Sequence, residues 1–119
     1  MTAIAILVVT DDADQRILFT LVLTSHGYHV DAVADAESAL DQLSEHTYAV
    51  LLTDYELPLL NGPELIALVR QRWPATRIVL MSNHTHIREL AAQLAVDAYF
   101  TKMDIFELLQ IMRTVLPDA

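Results

Sequence analysis

The residues able to do chemistry in this chain are few, and each follows an apolar run. Asp11 and Asp12 come after a first run, Asp54 ends a second, Ser82 follows a third and Lys102 a fourth. Carboxylates crowded together raise one another's pKa unless a cation stands between them. A hard divalent ion resolves the repulsion, and Mg²⁺ typically takes one or two carboxylates together with water and phosphate oxygens. A hydroxyl, backbone N–H groups and an ammonium on the far side would hold the remaining oxygens of a phosphoryl group. The set therefore suits Mg²⁺-assisted phosphoryl transfer onto a carboxylate, driven by positioning and charge neutralisation. Lys102 is the only lysine; the other fixed side-chain cations are all arginine. Lysine acts as a compact point charge where arginine favours planar, bidentate partners.

Those residues converge only if the apolar runs are strands of one sheet. Residues 49–54 are apolar until Thr53-Asp54, too short for a helix and of the kind a strand buried on both faces would have. Leu57-Pro58 and Asn61-Gly62 punctuate the loop that follows, and Pro63 suits the first turn of a helix capped by Asn61 or Gly62. Further strands are expected at 3–10, 29–33, 77–81 and 98–101. Helices are expected at 13–25, from the Asp35 cap to about 45, at 63–73, at 85–94 and from Asp104 onward, with Glu107 as its capping-box partner. For the first helix, Ile17, Leu18, Leu21 and Val22 form the expected inward stripe. Strict alternation demands right-handed crossovers and a parallel sheet covered on both faces. The polar residues then share the carboxyl edge of that sheet, where open α/β folds place their ligands. Taken alone, Asp54 would more often be a turn cap; its company changes that.

Composition narrows the alternatives. The 119 residues suffice for one domain with one core, spanning 1–119. With no cysteine there is no disulfide framework, thiolate nucleophile or Cys-based metal site. A net charge of −9 argues against a nucleic-acid or anionic-membrane footprint on this domain. The first apolar run is too short to span a membrane and lacks the basic flank of a signal peptide, so a cytoplasmic protein is expected. No glycine-rich nucleotide loop is present.

Nearly the whole chain resembles the receiver domain of bacterial response regulators. The resemblance is carried by Ile6-Leu7-Val8-Val9 entering an acidic turn, Arg16, Gly27-Tyr28, Leu51-Leu52-Thr53-Asp54 running into Leu57-Pro58 and Asn61-Gly62, then Ser82, Tyr99 and Lys102. It implies a flavodoxin-like, doubly wound five-stranded parallel sheet of order 2-1-3-4-5 with five helices. It implies that Asp54 is the phosphoacceptor, that Ser82, the backbone at Asn83 and Lys102 contact the phosphoryl group, and that Ser82 and Tyr99 switch on activation. Asp11, Asp54, the main-chain carbonyl of Glu56 and, with a shifted turn, Asp12 would hold Mg²⁺. The phosphoryl donor would be a histidine kinase or phosphotransfer protein. Output would run to a homodimer or an effector through the helix 4–strand 5–helix 5 surface. Such a module is not an enzyme, although it assists its own phosphorylation and dephosphorylation.

Some positions depart from the family pattern. Counting back from Arg16, the acidic pair falls on Thr10 and Asp11, so the first acid is absent. Met103 follows Lys102 where proline in a cis bond is usual; a cis bond before a non-proline costs ~2.5–4 kcal/mol, so this peptide is expected trans. The interval from Ser82 to Lys102 is shorter than usual, and Ala95 stands where glycine commonly ends helix four. These departures favour a second reading, a degenerate receiver that binds partners without phosphorylation. A third, an aspartyl-phosphate hydrolase using Asp54-Tyr55-Glu56, lacks a substrate cap and has its nucleophile on the wrong strand. A flavin role fails because the acidic first turn would repel the cofactor phosphate. His84 and His86 invite a metal hypothesis, but zinc sites need three or four ligands.

Overall fold

The computed structural model describes residues 3–101 and 105–116. Five strands alternate with five helices: β1 (Ala5–Val9), α1 (Ala13–Ser25), β2 (His29–Val33), α2 (Ala36–Glu45), β3 (Val50–Asp54), α3 (Gly62–Arg72), β4 (Arg77–Ser82), α4 (Ile87–Leu94), β5 (Ala98–Thr101) and α5 (Ile105–Val115). All pairings are parallel and the order is β2-β1-β3-β4-β5, as the resemblance implied. Among the described residues no helix is long and apolar enough to cross a membrane.

The unbroken apolar runs are explained by burial on both faces, since successive strand side chains point in opposite directions. Leu7, Val9, Leu51, Ile78 and Leu80 pack under α2, α3 and α4, against Ala39, Leu43, Leu65, Ile66, Val69, Ile87 and Ala91. Their neighbours Ile6, Val8, Val50, Leu52, Val79 and Met81 face the other way, toward Phe19 and Leu23 of α1 and Leu108 and Met112 of α5. β3 lies at the centre, and all five of its residues are buried. Every inward methyl there is worth about 0.8 kcal/mol or more of removed apolar hydration.

The expected face of α1 needs correction. Phe19 and Leu23 are its buried residues, while Ile17 and Leu21 remain 60% and 65% exposed and Leu18 is exposed as well. Residues 17–23 are apolar almost all round, so periodicity alone admits two phases. Phe19 sits edge-on to Phe100, with ring centroids 6.3 Å apart and an interplanar angle of 77°. An aromatic ring offers the larger area to bury, and its contact with Phe100 on β5 selects the phase.

Local signals set the remaining helix ends. Asp35 caps α2 by accepting the Ser38 amide at 2.7 Å, a bond that holds its carboxyl below the usual value. Asn61 and Glu64 form a reciprocal capping box on α3, with Pro63 in its first turn. α4 starts at Ile87, later than the expected residue 85, and ends on Ala95 in the left-handed region (φ 54°). The Arg70 guanidinium of α3 donates to the Ala95 carbonyl and ties the two helix ends together. The expected Asp104 cap and the Lys102–Met103 peptide lie outside the described residues.

Gly62 is the tightest point around Asp54. A Cβ there would meet the Asp54 carbonyl oxygen at 2.3 Å and the Tyr55 carbonyl oxygen at 2.6 Å. Its amide donates to the same Tyr55 carbonyl at 3.0 Å, so α3 begins pressed against the backbone that carries Asp54.

Two stability outcomes follow from these contacts. Ala95→Gly removes a Cβ from a left-handed residue and should raise urea-unfolding stability by about 0.5–1 kcal/mol at unchanged m-value. Gly62→Ala forces a methyl into backbone that cannot yield, and should cost about 1–3 kcal/mol and shift the Asp54 amide resonance.

Candidate functional site

Strand register brings the polar residues to one edge. Val9 is level with Thr53, so Thr10 lies beside Asp54; Asp54 is level with Met81, so Ser82 lies one residue beyond. Ser82 is level with Thr101 on β5, which directs the chain into Lys102, outside the described residues. Among the described residues the buried polar side chains are Thr10, Thr53, Asp54 and Ser82, all at this edge. Asp54 is only 1% exposed. A carboxylate at that depth is costly unless charge or hydrogen bonds compensate it, so its position points to a functional demand.

The turn after β1 is wired around Thr10. Its carbonyl accepts from Arg16 at 2.8 Å, its hydroxyl lies 3.2 Å from Gln15 Oε1, and the Asp12 amide donates to that hydroxyl at 3.3 Å. Asp12 in turn caps α1, its Oδ1 accepting from the Asp14 and Gln15 amides at 2.9 and 3.3 Å. One Asp12 oxygen is thus engaged by the helix, and Asp11 and Asp12 are both exposed. Arg16, quoted above only as a family marker, is a brace for this turn.

On the other side of Asp54, a cleft of about 300 Å³ is lined by Tyr55, Glu56, Met81, Ser82, Asn83 and His84. The Tyr55 amide donates to the Met81 carbonyl at 3.1 Å, locking the strand ends together. Ser82 Oγ accepts the His84 amide at 2.9 Å, which leaves its own proton able to point toward an acceptor in the cleft. Tyr99 is half-buried on β5, beside Leu80 in register, and packs on the α4 side of the sheet. With Arg88, Ala91 and Val96 it lines a separate cleft of about 330 Å³ between α4 and β5.

The residues that the resemblance assigns to a metal, Asp11, Asp54 and the Glu56 carbonyl, would all bind through oxygen, the donor type of Mg²⁺, which takes one or two carboxylates and keeps several waters. No group of three His, Cys, Asp or Glu side chains that could hold a metal occurs among the described residues. The His84 and His86 rings stand 5.7 Å apart, and His84 Nδ1 accepts the His86 amide. A larger cleft, about 670 Å³, lies at the opposite end of the sheet beside His29, Asp31, Gln42 and Tyr48. There the Tyr48 hydroxyl donates to Asp31 at 2.5 Å and lies 3.0 Å from Gln42 Oε1; burial first, then Asp31, pushes that phenol above its ordinary range. It reads as a structural lock joining β2, α2 and the entry to β3.

The hydrogen bonding of Thr10 and the backbone approach of Gly62 were not visible in the sequence. For Thr10 the available signal was its place one residue before two acids, and for Gly62 its place after Asn61, which read only as a cap.

Comparison with known proteins gives one answer. Residues 6–113 match the sequence profile of the response regulator receiver domain. Response regulator ArlR of Staphylococcus aureus is 31% identical over 113 residues, covering 93% of this chain and 52% of that protein. The chain therefore spans about half the length of the curated relatives it matches. Response regulator TrrA of Thermotoga maritima, solved in complex with Mg(2+)-BeF, is 29% identical, with a TM-score of 0.87 over 95% of this chain and 99% of that one. Chemotaxis protein CheY4 of Vibrio cholerae aligns with a TM-score of 0.88 over 97% of this chain and 100% of its own; at 23% identity it speaks to the fold alone. With profile, relatives, strand order and polar edge in agreement, this chain belongs to the receiver-domain family of response regulators, the non-catalytic signalling modules of two-component systems.

Proposed function

We propose that the chain is a phospho-accepting receiver, a single domain over 1–119 that takes a phosphoryl group on Asp54 from a histidine kinase or phosphotransfer protein. The observation that carries this reading is the burial of Asp54 at the end of β3, beside buried Ser82 and next in the chain to Tyr55 and Glu56, which line the cleft together with Ser82 and Asn83. An Asp54 oxygen attacks the phosphorus of a phosphohistidine; the P–N bond breaks and the imidazole leaves with the electron pair, taking up a proton. The Ser82 hydroxyl and the Asn83 backbone N–H donate to phosphoryl oxygens, and the Lys102 ammonium pairs with them. Asp11, Asp54 and the Glu56 carbonyl would hold Mg²⁺, with Asp12 as the further acid of the turn. When bound, the ion supplies charge neutralisation for the carboxylate and the incoming phosphoryl oxygens. Attack of water on the acyl phosphate later restores Asp54, so the domain assists its own reset. The solved complex of the relative TrrA with Mg(2+)-BeF supports this ligand chemistry.

Phosphorylation adds ~1.5–2 negative charges and strong acceptor oxygens. Ser82 moves toward them, Tyr99 turns into the space released, and the α4–β5–α5 surface changes. Its exposed Phe106 and the cleft beside Tyr99 support docking of a second copy or an effector there. The charge of −9 supports neither nucleic acid nor membrane as a partner of this domain, and a cytoplasmic setting goes with the reading.

A specific observation favours a second reading, a phosphorylation-independent interaction module. Thr10 stands where the first acid would be, and Asp12 is engaged in capping α1. Intact mass after treatment with acetyl phosphate and Mg²⁺ separates the two. The first expects a gain of one phosphoryl group in the wild type and none in Asp54→Asn; an unmodified wild type leaves the second.

The same loss of charge makes a signed prediction for the metal. Thr10→Asp should bind Mg²⁺ roughly tenfold more tightly, because another carboxylate would face the cation. In chelator the variant should be less stable than wild type, since two buried carboxylates then repel. Thermal unfolding with and without Mg²⁺ reads both effects, through the stabilisation that binding gives the folded state.

A further inference from the structure

The start of α4 has an unusual cap. Its N-cap residue, His86, makes no side-chain capping bond. The amide of His86 instead donates to Nδ1 of His84 at 3.0 Å, and the Ile87 amide to the His84 carbonyl at 3.3 Å. An imidazole nitrogen that accepts carries no proton, so this bond uses the His84 tautomer that has its hydrogen on Nε2. The same residue's amide donates to Ser82 Oγ at 2.9 Å. Its ring also leans on Tyr55, the residue after Asp54, with centroids 6.3 Å apart. One residue therefore touches the Ser82 hydroxyl, the ring of Tyr55 that follows Asp54, and the first amides of the next helix.

We infer that His84 is the positioning residue through which a displacement of Ser82 is carried into the N-terminus of α4, its side-chain Nδ1 serving as the cap that α4 otherwise lacks. The inference rests on the phospho-acceptor reading for what displaces Ser82. The tether itself is a property of the unmodified chain. When the Ser82 hydroxyl turns toward phosphoryl oxygens it draws the His84 amide with it, and the Nδ1 bond makes His86 and Ile87 follow. A side chain accepting the amide two residues on is the geometry an asparagine reproduces, whereas alanine supplies no acceptor. Asparagine also lacks the ring that lies on Tyr55, so the pair separates capping from packing.

The test uses amide NMR on the full chain with Mg²⁺ and beryllofluoride as the phosphoryl mimic. In wild type, Ser82 and the amides of Ile87, Arg88 and Glu89 should shift together. In His84→Ala the Ser82 response should persist while the α4 responses fall to about half or less, and His84→Asn should restore them. Without any mimic, hydrogen exchange at the His86 amide should be about tenfold faster in His84→Ala and return toward wild type in His84→Asn. Wild-type α4 responses in the alanine variant, an asparagine variant that behaves like alanine, or unchanged exchange would each overturn the inference. A wild type with no response at Ser82 sinks the phospho-acceptor reading instead, and the exchange measurement still decides the tether.

Discussion

Everything at the carboxyl edge depends on β3 being dry on both sides. A strand walled by two helical layers can end on a carboxylate only where the layers part, and the end of β3 is such a place. The apolar run 50–52 holds the backbone still, and Gly62 lets α3 start in contact with the carbonyls of Asp54 and Tyr55. The Tyr55 amide closes the same junction onto β4. Asp54 is thereby kept in a low-dielectric position with its approach fixed, and charge placed near it is felt more strongly than in water. Preorganisation of this kind is what phosphoryl chemistry asks of a protein, because little covalent work remains to be done.

The acidic turn shows how one substitution propagates. In place of a carboxylate beside Asp54, Thr10 puts a neutral hydroxyl, and a local network forms around it: Asp12 and Gln15 bond to or lie against it, and Arg16 holds its carbonyl. Asp12 then serves the helix dipole and its orphan amides, a role worth about 1 kcal/mol to α1. The trade is lower electrostatic repulsion around an unliganded Asp54 against weaker attraction for a divalent cation. On the phospho-acceptor reading proposed above, where such a balance lies would govern how readily Asp54 is modified.

The face of α1 left in solvent is a further consequence of packing. Ile17, Leu18 and Leu21 are exposed because Phe19 found Phe100 across the sheet, and the helix could satisfy only one phase. The hydrophobic pattern was real; its direction was not readable from it. The polarity of α2, by contrast, left one choice: Ala39 and Leu43 are buried there and Leu40 is partly buried.

Alternation of short apolar runs with amphipathic stretches was enough, from sequence, to set a parallel α/β sheet with polar residues gathered at its carboxyl edge. That is so because backbone hydrogen bonding and strand pleat convert periodicity directly into burial. Asp54 and Ser82 were legible for the same reason: a polar residue terminating a buried strand has one edge on which to lie. What only the folded chain decided involves contacts between residues far apart in sequence or bonds to backbone. Gly62 against the Asp54 carbonyl, Arg70 on Ala95, Phe19 on Phe100 and the His84 ring accepting a helix amide all depend on distances that no spacing rule contains. Sequence order carries local geometry, whereas close approach is settled by packing the two layers at once.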